Sequence, residues 1–388
     1  MRDQRLDKLA QVLVHYSAAV QPGQIVRIRG DIVGHPLLEA IYEAVVEAGG
    51  HPLLRCGIES CSDIFLQTAR EDQLTFVNPL VISEVETIDA DIALWADVNT
   101  KSASRVDPKR AGMISSARKP VFDIFMKRSA AAEAPDQHPG VKPLRWVGTQ
   151  FPTHASAQDA ERSLREYEDF VFKAGYLDRD DPAAVWREIR EKQQRVADYL
   201  TGKSLLHFKT DAGTDLQVNI DGMTWVNCAG ESNFPDGEVF TGPNLDHAEG
   251  GVNGVVKYSF PAVHNGREVH GIELTFEKGR VVDAKASKGL DFLIAMLDQD
   301  EGARNLGEIA IGTNYAITEY TKNTLFDEKI GGTFHAAVGA GYPETGNANP
   351  SGLHWDMVCD LRPGGTISVD GEVISRDGKF VFDGWPGA

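Results

Sequence analysis

Cysteine is scarce in this sequence, and none of its four cysteines belongs to a C-x-x-C pair. Such scattered cysteines exclude the disulfide framework of a small secreted domain and the paired spacing of a structural zinc site. In a chain of 388 residues they indicate reduced, mostly structural thiols. We therefore predict a cytoplasmic protein.

Long apolar runs are also missing. No stretch approaches the roughly 20 apolar residues that a bilayer-spanning helix needs. The N-terminal segment MRDQRLDKLAQVLVHYSAAV has the pattern of a charged amphipathic helix and lacks the uninterrupted apolar centre of a signal peptide. The sequence therefore predicts no membrane partner.

Basic residues are fewer than acidic residues. The chain has 39 lysines and arginines against 57 acidic residues, a formal net charge of −18, and it has no basic block. Nucleic-acid phosphates and anionic membrane surfaces require a positive protein surface. The charge balance excludes these partners, whereas it is compatible with substrates that carry free amino groups.

The first half of the chain alternates between predicted strands and helices. Its length exceeds that of one typical core and favours two domains. Strands are predicted at 24–30, 51–57, 90–98 and 144–152, with a helix at 35–50. This β-α-β order is typical of a parallel sheet. The segment RGDIVGHP does not match G-x-G-x-x-G, so we expect a Rossmann-like scaffold without a nucleotide.

The pattern changes near residue 200. Short alternating segments separated by turn signals such as DAGTD and NG follow a charged helical stretch. The predicted fold class is therefore α/β plus α+β. A Rossmann-like parallel-sheet domain covers residues 1–200, and a mixed β-rich domain covers residues 201–388.

The segment LHWDMV reads as a strand that carries two metal-binding residue types. Side chains alternate along a strand, so His354 and Asp356 point the same way. An imidazole and a carboxylate from one strand can begin a divalent-metal site. Taken alone, a motif of only two residues favours a surface His-Asp pair on a half-exposed strand, and the neighbouring residues decide for the metal site. A second such pair, His247 and Glu249, lies in a turn, and we interpret it as structural.

Two glutamates strengthen the metal hypothesis. Glu308 is the one carboxylate in the apolar strand LGEIAIG, and Glu238 lies between turn residues and a strand in FPDGEVFTGP. A buried carboxylate must be paired or must coordinate a metal. Each glutamate alone is equally consistent with an edge-strand or turn position.

The segment 326–342 is predicted to be a helix. Glu328, His335 and Tyr342 are seven residues apart, which places them near one helix face. The Gly331–Gly332 pair weakens the helix and fits a close approach to the backbone. If no other candidate ligands lay nearby, we would interpret His335 as a core histidine and Tyr342 as a packed aromatic residue. The Glu328 carboxylate is predicted to orient His335.

Together these residues form an oxygen-rich set with imidazole, which suits a pair of divalent ions such as zinc, cobalt or manganese. Four segments carry a family resemblance: FPDGEVFTGP, LGEIAIGTN, NTLFDEKIGGTFHAAVGAGYPETG and NPSGLHWDMV. They resemble the thermophilic-type metallo-aminopeptidases, the group of aminopeptidases T and S. The N-terminal half matches more loosely.

The resemblance implies a C-terminal catalytic domain, a homodimer and a peptide substrate with a free N terminus. It also implies six metal ligands, with Glu308 bridging two ions; these are Glu238, Glu308, His335, Tyr342, His354 and Asp356. The loop between Tyr342 and His354 has only eleven residues and is shorter than in several members of the family. Specificity therefore does not transfer from those relatives.

A hydrolytic mechanism follows as a hypothesis. Two ions would share a water and lower its pKa from ~16 towards ~7, and the hydroxide would attack the first peptide carbonyl. Glu308 and Tyr342 are the predicted catalytic residues, Tyr342 as a weak ligand or a donor to the oxyanion.

Two alternatives stay open. A ring-cleaving dioxygenase with one iron would use His354 and Asp356 and needs one more histidine, and an inactive binding module would keep the fold alone. The presence of Glu238 and Glu308 favours two-ion hydrolysis.

Overall fold

A computed structural model describes residues 2–248 and 250–387, so Glu249 of the His247–Glu249 pair lies outside the described residues. The chain forms two compact units. Residues 2–183 with Gly230–Phe234 make the first, and Ala184–Ala229 with residues 235–387 make the second. Within the described ranges, no helix is long and apolar enough to cross a membrane.

The strands are defined as follows. In chain order they are β1 (Ile25–Asp31), β2 (His51–Gly57), β3 (Ala90–Trp95), β4 (Arg145–Gln150), β5 (Leu205–Thr210), β6 (Asp215–Asn219), β7 (Val226–Cys228), β8 (Asn233–Phe234), β9 (Glu238–Thr241), β10 (Val252–Lys257), β11 (Ala262–His264), β12 (Arg267–Val269), β13 (Glu273–Glu277), β14 (Arg280–Lys285), β15 (Leu306–Gly312), β16 (Thr333–Gly339), β17 (His354–Asp360), β18 (Gly365–Val369), β19 (Glu372–Arg376) and β20 (Lys379–Phe380).

Most of the α-helices belong to the first unit. In chain order they are α1 (Gln4–Gln11), α2 (His35–Glu47), α3 (Glu59–Thr68), α4 (Glu71–Leu74), α5 (Pro79–Thr87), α6 (Pro108–Glu133), α7 (His154–Asp159), α8 (Leu164–Ala174), α9 (Pro182–Leu200), α10 (Leu290–Leu297) and α11 (Thr324–Asp327).

The first unit contains a five-stranded sheet in the order β2-β1-β3-β4-β8. Every pairing in this sheet is parallel. Apolar residues such as Val26 and Ile28 of β1 and Ile92 of β3 are fully buried, as expected for strands covered on both faces. The predicted Rossmann-like parallel sheet is confirmed.

The second unit is built from antiparallel sheets, which confirms the predicted β-rich fold. An eight-stranded sheet runs β14-β13-β10-β6-β5-β18-β19-β20, and a five-stranded sheet runs β17-β16-β15-β9-β7, beside the hairpin β11-β12. The core contains residues from both large sheets; the ring centroids of Phe208 in β5 and Phe334 in β16 are 4.3 Å apart. One face of the five-stranded sheet therefore belongs to the core.

The predicted helix over 326–342 is wrong. The structure has only the short α11 there, and β16 follows the two glycines. Phe334, Ala336 and Val338 alternate into the core, which is the period of a strand. Spacing by seven therefore does not explain how His335 is positioned. His335 lies on the opposite face of β16 from these core residues.

A β-bulge sets the orientation of β15. The pairing with β16 shifts by one residue between Leu306 and Glu308, so that Leu306, Ile309 and Ile311 all face the core. Gly307 is the extra residue. A Cβ at this position would lie 2.1 Å from the Ala340 carbonyl oxygen, so only glycine fits without a backbone shift. Glu308 consequently points away from the core.

In the first unit, the buried guanidinium of Arg128 joins α6 to two neighbouring segments. It donates hydrogen bonds to the carbonyl oxygens of Val85 and Ile88, at 2.5 and 2.6 Å, and of Lys142 and Pro143, at 2.9 and 3.1 Å. Burial lowers the pKa of Arg128, against the pull of nearby carboxylates. One side chain thus satisfies four backbone acceptors at the end of α5 and before β4.

We expect Arg128→Met to destabilise the first unit by about 3 kcal/mol or more, because buried carbonyls would lose their donors. Urea unfolding followed by circular dichroism measures the loss. Arg118→Met is the matched control, since Arg118 is exposed on the same helix, and we expect its effect to stay within about 0.5 kcal/mol. Equal stability of the two variants would contradict this role for Arg128.

Candidate metal centre

The face of the five-stranded sheet opposite the core carries a cluster of acidic and imidazole side chains. Alternation along each strand sends the core residues one way and these side chains the other. Four adjacent strands contribute five of the six predicted residues: Glu238 from β9, Glu308 from β15, His335 from β16, and His354 and Asp356 from β17.

Glu308 lies at the centre of this cluster. Its Oε1 is 3.2 Å from His335 Nε2, and its Oε2 is 3.2 Å from His354 Nε2. Asp356 Oδ1 lies 3.4 Å from His354 Nε2, and Glu238 Oε2 lies 3.4 Å from His335 Nε2. The two oxygens of one carboxylate thus face two different imidazoles.

Backbone carbonyls orient both histidines. The Nδ1 of His335 donates to the carbonyl oxygen of Glu328 at 3.0 Å, and the Nδ1 of His354 donates to that of Ala340 at 2.9 Å. These bonds place each Nε2 toward the carboxylates, as in metal-binding histidines. The predicted role of the Glu328 carboxylate is therefore wrong, because the Glu328 carbonyl orients His335.

Tyr342, the sixth predicted residue, follows β16 and packs beside the cluster. Its ring meets that of His354 edge-on, with centroids 5.1 Å apart, and lies 5.3 Å from the ring of Phe240. Burial, helped by the negative charge of Glu308, raises the pKa of Tyr342 well above its usual range. The phenol therefore keeps its proton and can donate a hydrogen bond.

The cluster has an excess of negative charge. Burial alone would lower the pKa of both histidines, but the surrounding carboxylates outweigh it. They raise the pKa of His335 to about 10 and that of His354 to about 12. Burial also raises the pKa of Glu238 to about 8. A cation placed among these carboxylates is therefore strongly favoured.

Two buried oxygens of the cluster have no hydrogen-bond donor among the described residues. These are Oε2 of Glu238 and Oδ1 of Asp356. Both carboxylates belong to groups of donor atoms that lie within 4.8 Å of one another: Glu238, Glu308 and His335 form one group, and Glu308, His354 and Asp356 form another. Imidazole and carboxylate donors at this spacing fit a divalent cation in each group.

Three residues near Glu238 escaped the sequence analysis. The ammonium of Lys329, 1% exposed, pairs with Glu238 and contacts Glu328 Oε1 at 2.7 Å and Asp236 Oδ1 at 3.6 Å. Cys228 and Asp236 also form a ligand-spaced group with Glu238. No sequence signal separates Lys329, within FDEKIGG, from an exposed helix lysine.

Comparison with known proteins extends the resemblance to the whole chain. The family model for thermophilic metalloprotease (M29) matches residues 2–380. Aminopeptidase 2 of Geobacillus stearothermophilus is 30% identical over 98% of both chains, and aminopeptidase PepS of Streptococcus thermophilus is 27% identical over 97% of this chain and 96% of its own. Aminopeptidase T of Thermus thermophilus is 35% identical over 56% of this chain and 53% of its own.

Solved structures agree in fold. The wild-type AmpT structure from Thermus thermophilus superposes with a TM-score of 0.83, at 24% identity, and covers 98% of this chain and 99% of its own. A 2,5-dihydroxypyridine dioxygenase from Pseudomonas putida reaches 0.58 at 12% identity, covering 97% of this chain and 96% of its own. Both likenesses concern the fold alone. On the strength of the family match across residues 2–380, the chain belongs to the thermophilic metalloprotease (M29) family.

Proposed function

We propose that this protein is a metal-dependent aminopeptidase that releases N-terminal residues from peptides and uses two divalent ions. The named aminopeptidases among its relatives support the activity. The observation that carries the two-ion proposal is the position of Glu308, whose two oxygens face Nε2 of His335 and of His354 at 3.2 Å each. A carboxylate so placed can bridge two ions.

The proposed ligands divide into two sets that share Glu308. Glu238 and His335 complete the first set, and His354 and Asp356 complete the second. In such a site, divalent ions lower the pKa of a bound water and polarise a carbonyl oxygen. Zinc, cobalt and manganese all accept this mixture of oxygen and nitrogen donors.

The remaining chemistry belongs to side chains of the protein. We assign to Tyr342, whose ring packs edge-on against that of His354, the donation of a hydrogen bond to the oxyanion that develops from the scissile carbonyl. A small pocket next to the centre is lined by Glu328 and Asp356 and by apolar residues such as Val263. We assign it to the α-ammonium group of the substrate, because its carboxylates can pair with that cation.

The dioxygenase alternative is not favoured. One iron in a facial triad needs two histidines and a single carboxylate, whereas this cluster adds Glu238 and Glu308 to His335, His354 and Asp356. An inactive binding module would not be expected to retain both complete sets. The homodimer and the cytoplasmic location stay predictions.

Metal analysis tests the two-ion proposal. We expect two zinc, cobalt or manganese ions per chain, loss of aminoacyl-anilide hydrolysis after dialysis against a chelator, and recovery when the metal is returned. No oxygen should be consumed during turnover. A stoichiometry of one ion with full activity would contradict the paired centre.

Glu308→Gln should abolish hydrolysis, because an amide cannot replace a bridging carboxylate. We expect turnover to fall by about 1,000-fold or more, in the range reported for loss of a group essential to the transition state, while circular dichroism stays unchanged. Glu301→Gln is the control, since Glu301 is an exposed carboxylate of the same unit. Full activity of Glu308→Gln would refute the bridging role.

Tyr342→Phe should lower kcat by about 100-fold or more, with KM and metal content little changed, because only a donor to the transition state is removed. Steady-state kinetics and metal analysis of the purified variant measure both quantities. If instead the metal content falls, Tyr342 is a ligand. Unchanged kcat would restrict the residue to packing.

A further inference from the structure

Lys329 is a buried cation beside the candidate centre. Its ammonium lies among three carboxylates, those of Glu238, of Glu328 at 2.7 Å and of Asp236 at 3.6 Å. The backbone is also fixed, because the amide of Asn314 donates to the Lys329 carbonyl oxygen at 3.0 Å. The ammonium therefore has a defined position that does not depend on solvent.

The contact with Glu238 divides the two oxygens of that carboxylate. Lys329 Nζ pairs with Oε1, whereas Oε2 is buried, has no hydrogen-bond donor among the described residues, and lies 3.4 Å from His335 Nε2. A carboxylate held in this way presents one oxygen to an ion near His335. While Oε1 is paired with Lys329, the carboxylate cannot present both oxygens to that ion.

The charges of the cluster balance only when Lys329 is counted. Five carboxylates are linked by ion-pair contacts to Lys329 or to the two histidines: Asp236, Glu238, Glu308, Glu328 and Asp356. One ammonium and two divalent ions together carry five positive charges. Without the ammonium, one buried negative charge would have no partner, which is costly in a protein interior.

We propose that Lys329 is a positioning residue of the metal centre, whose ammonium takes a third cation position among Asp236, Glu238 and Glu328. It holds Glu238 with one oxygen toward the ion near His335 and weakens the binding of that ion by charge repulsion. Glu238 then neutralises less of the ion's charge, which leaves the ion a stronger Lewis acid. This inference rests on the proposed two-ion function.

Competition with a fluorescent zinc chelator tests the proposal on the full-length protein. In Lys329→Met we expect the weaker of the two zinc ions to bind at least about tenfold more tightly, because the repelling charge beside Glu238 is removed. We expect kcat to fall by a similar factor. If Lys329 only stabilised the fold, the variant would instead bind zinc more weakly than wild type. Lys329→Arg, which keeps the charge, should stay nearer to the wild-type affinity.

A compensating variant separates charge from packing. Lys329→Met with Asp236→Asn removes one positive and one negative charge together, so we expect its zinc affinity to return to within about threefold of wild type by charge balance. Lys257→Met is the matched control, because Lys257 is an ion-paired lysine of the same unit whose partner is Glu273, at 3.4 Å. Its affinities should not change.

The outcomes are distinct. A folded Lys329→Met that binds zinc as weakly as wild type, or more weakly, overturns the role of Lys329. If that variant does not fold, the double variant decides. The double variant must fold and must bind two zinc ions with near wild-type affinity. If it does not fold, or if its zinc affinity differs, the role of Lys329 is also overturned. Wild-type protein that binds no divalent ion contradicts the proposed function instead.

Discussion

Buried negative charge on one face of the five-stranded sheet is the constraint on which the rest of the second unit depends. Glu308 is 4% exposed, yet its pKa lies below the usual range, because the hydrogen bonds from His335 and His354 outweigh the effect of burial. Such a carboxylate is tolerated only where positive charge surrounds it. The strands β9, β15, β16 and β17 are arranged so that their side chains supply that surrounding.

Support for the cluster comes from backbone groups as much as from side chains. Carbonyl oxygens of Glu328 and Ala340 fix the two imidazoles. The carbonyl oxygen of Glu238 accepts from Gln193 Nε2 at 3.1 Å, and Gln193, fully buried on α9, in turn accepts from Thr313 at 2.9 Å. The groups that face the cluster are thus held from behind by hydrogen bonds, and those of Gln193 are fully buried. Such fixed positions are the preorganisation that catalysis requires.

Much of the fold and of the candidate site could be predicted from the sequence. The β-α-β order of the first unit, the strand that carries His354 and Asp356, and the isolated glutamate in an apolar strand are local patterns. The sequence of β16 resembles that of a helix, because its alanines and the spacing of seven between Glu328, His335 and Tyr342 obscure the alternation of a strand. Lys329 was missed because its burial comes from contacts with Asp236 and Glu238, about 90 residues earlier in the chain, and no local pattern encodes such contacts.

The bulge at Gly307 has a consequence for comparing related chains. Because it adds one residue to β15, Leu306 and Glu308 face opposite sides although they are two positions apart. Replacing that single glycine by a larger residue would leave every ligand residue in the sequence, but the added Cβ would lie 2.1 Å from the Ala340 carbonyl oxygen and would disturb the bulge that keeps Leu306 and Glu308 on opposite faces. An inventory of conserved donors would then score a disabled protein as intact. The glycine that precedes Glu308 is therefore as informative as the glutamate itself.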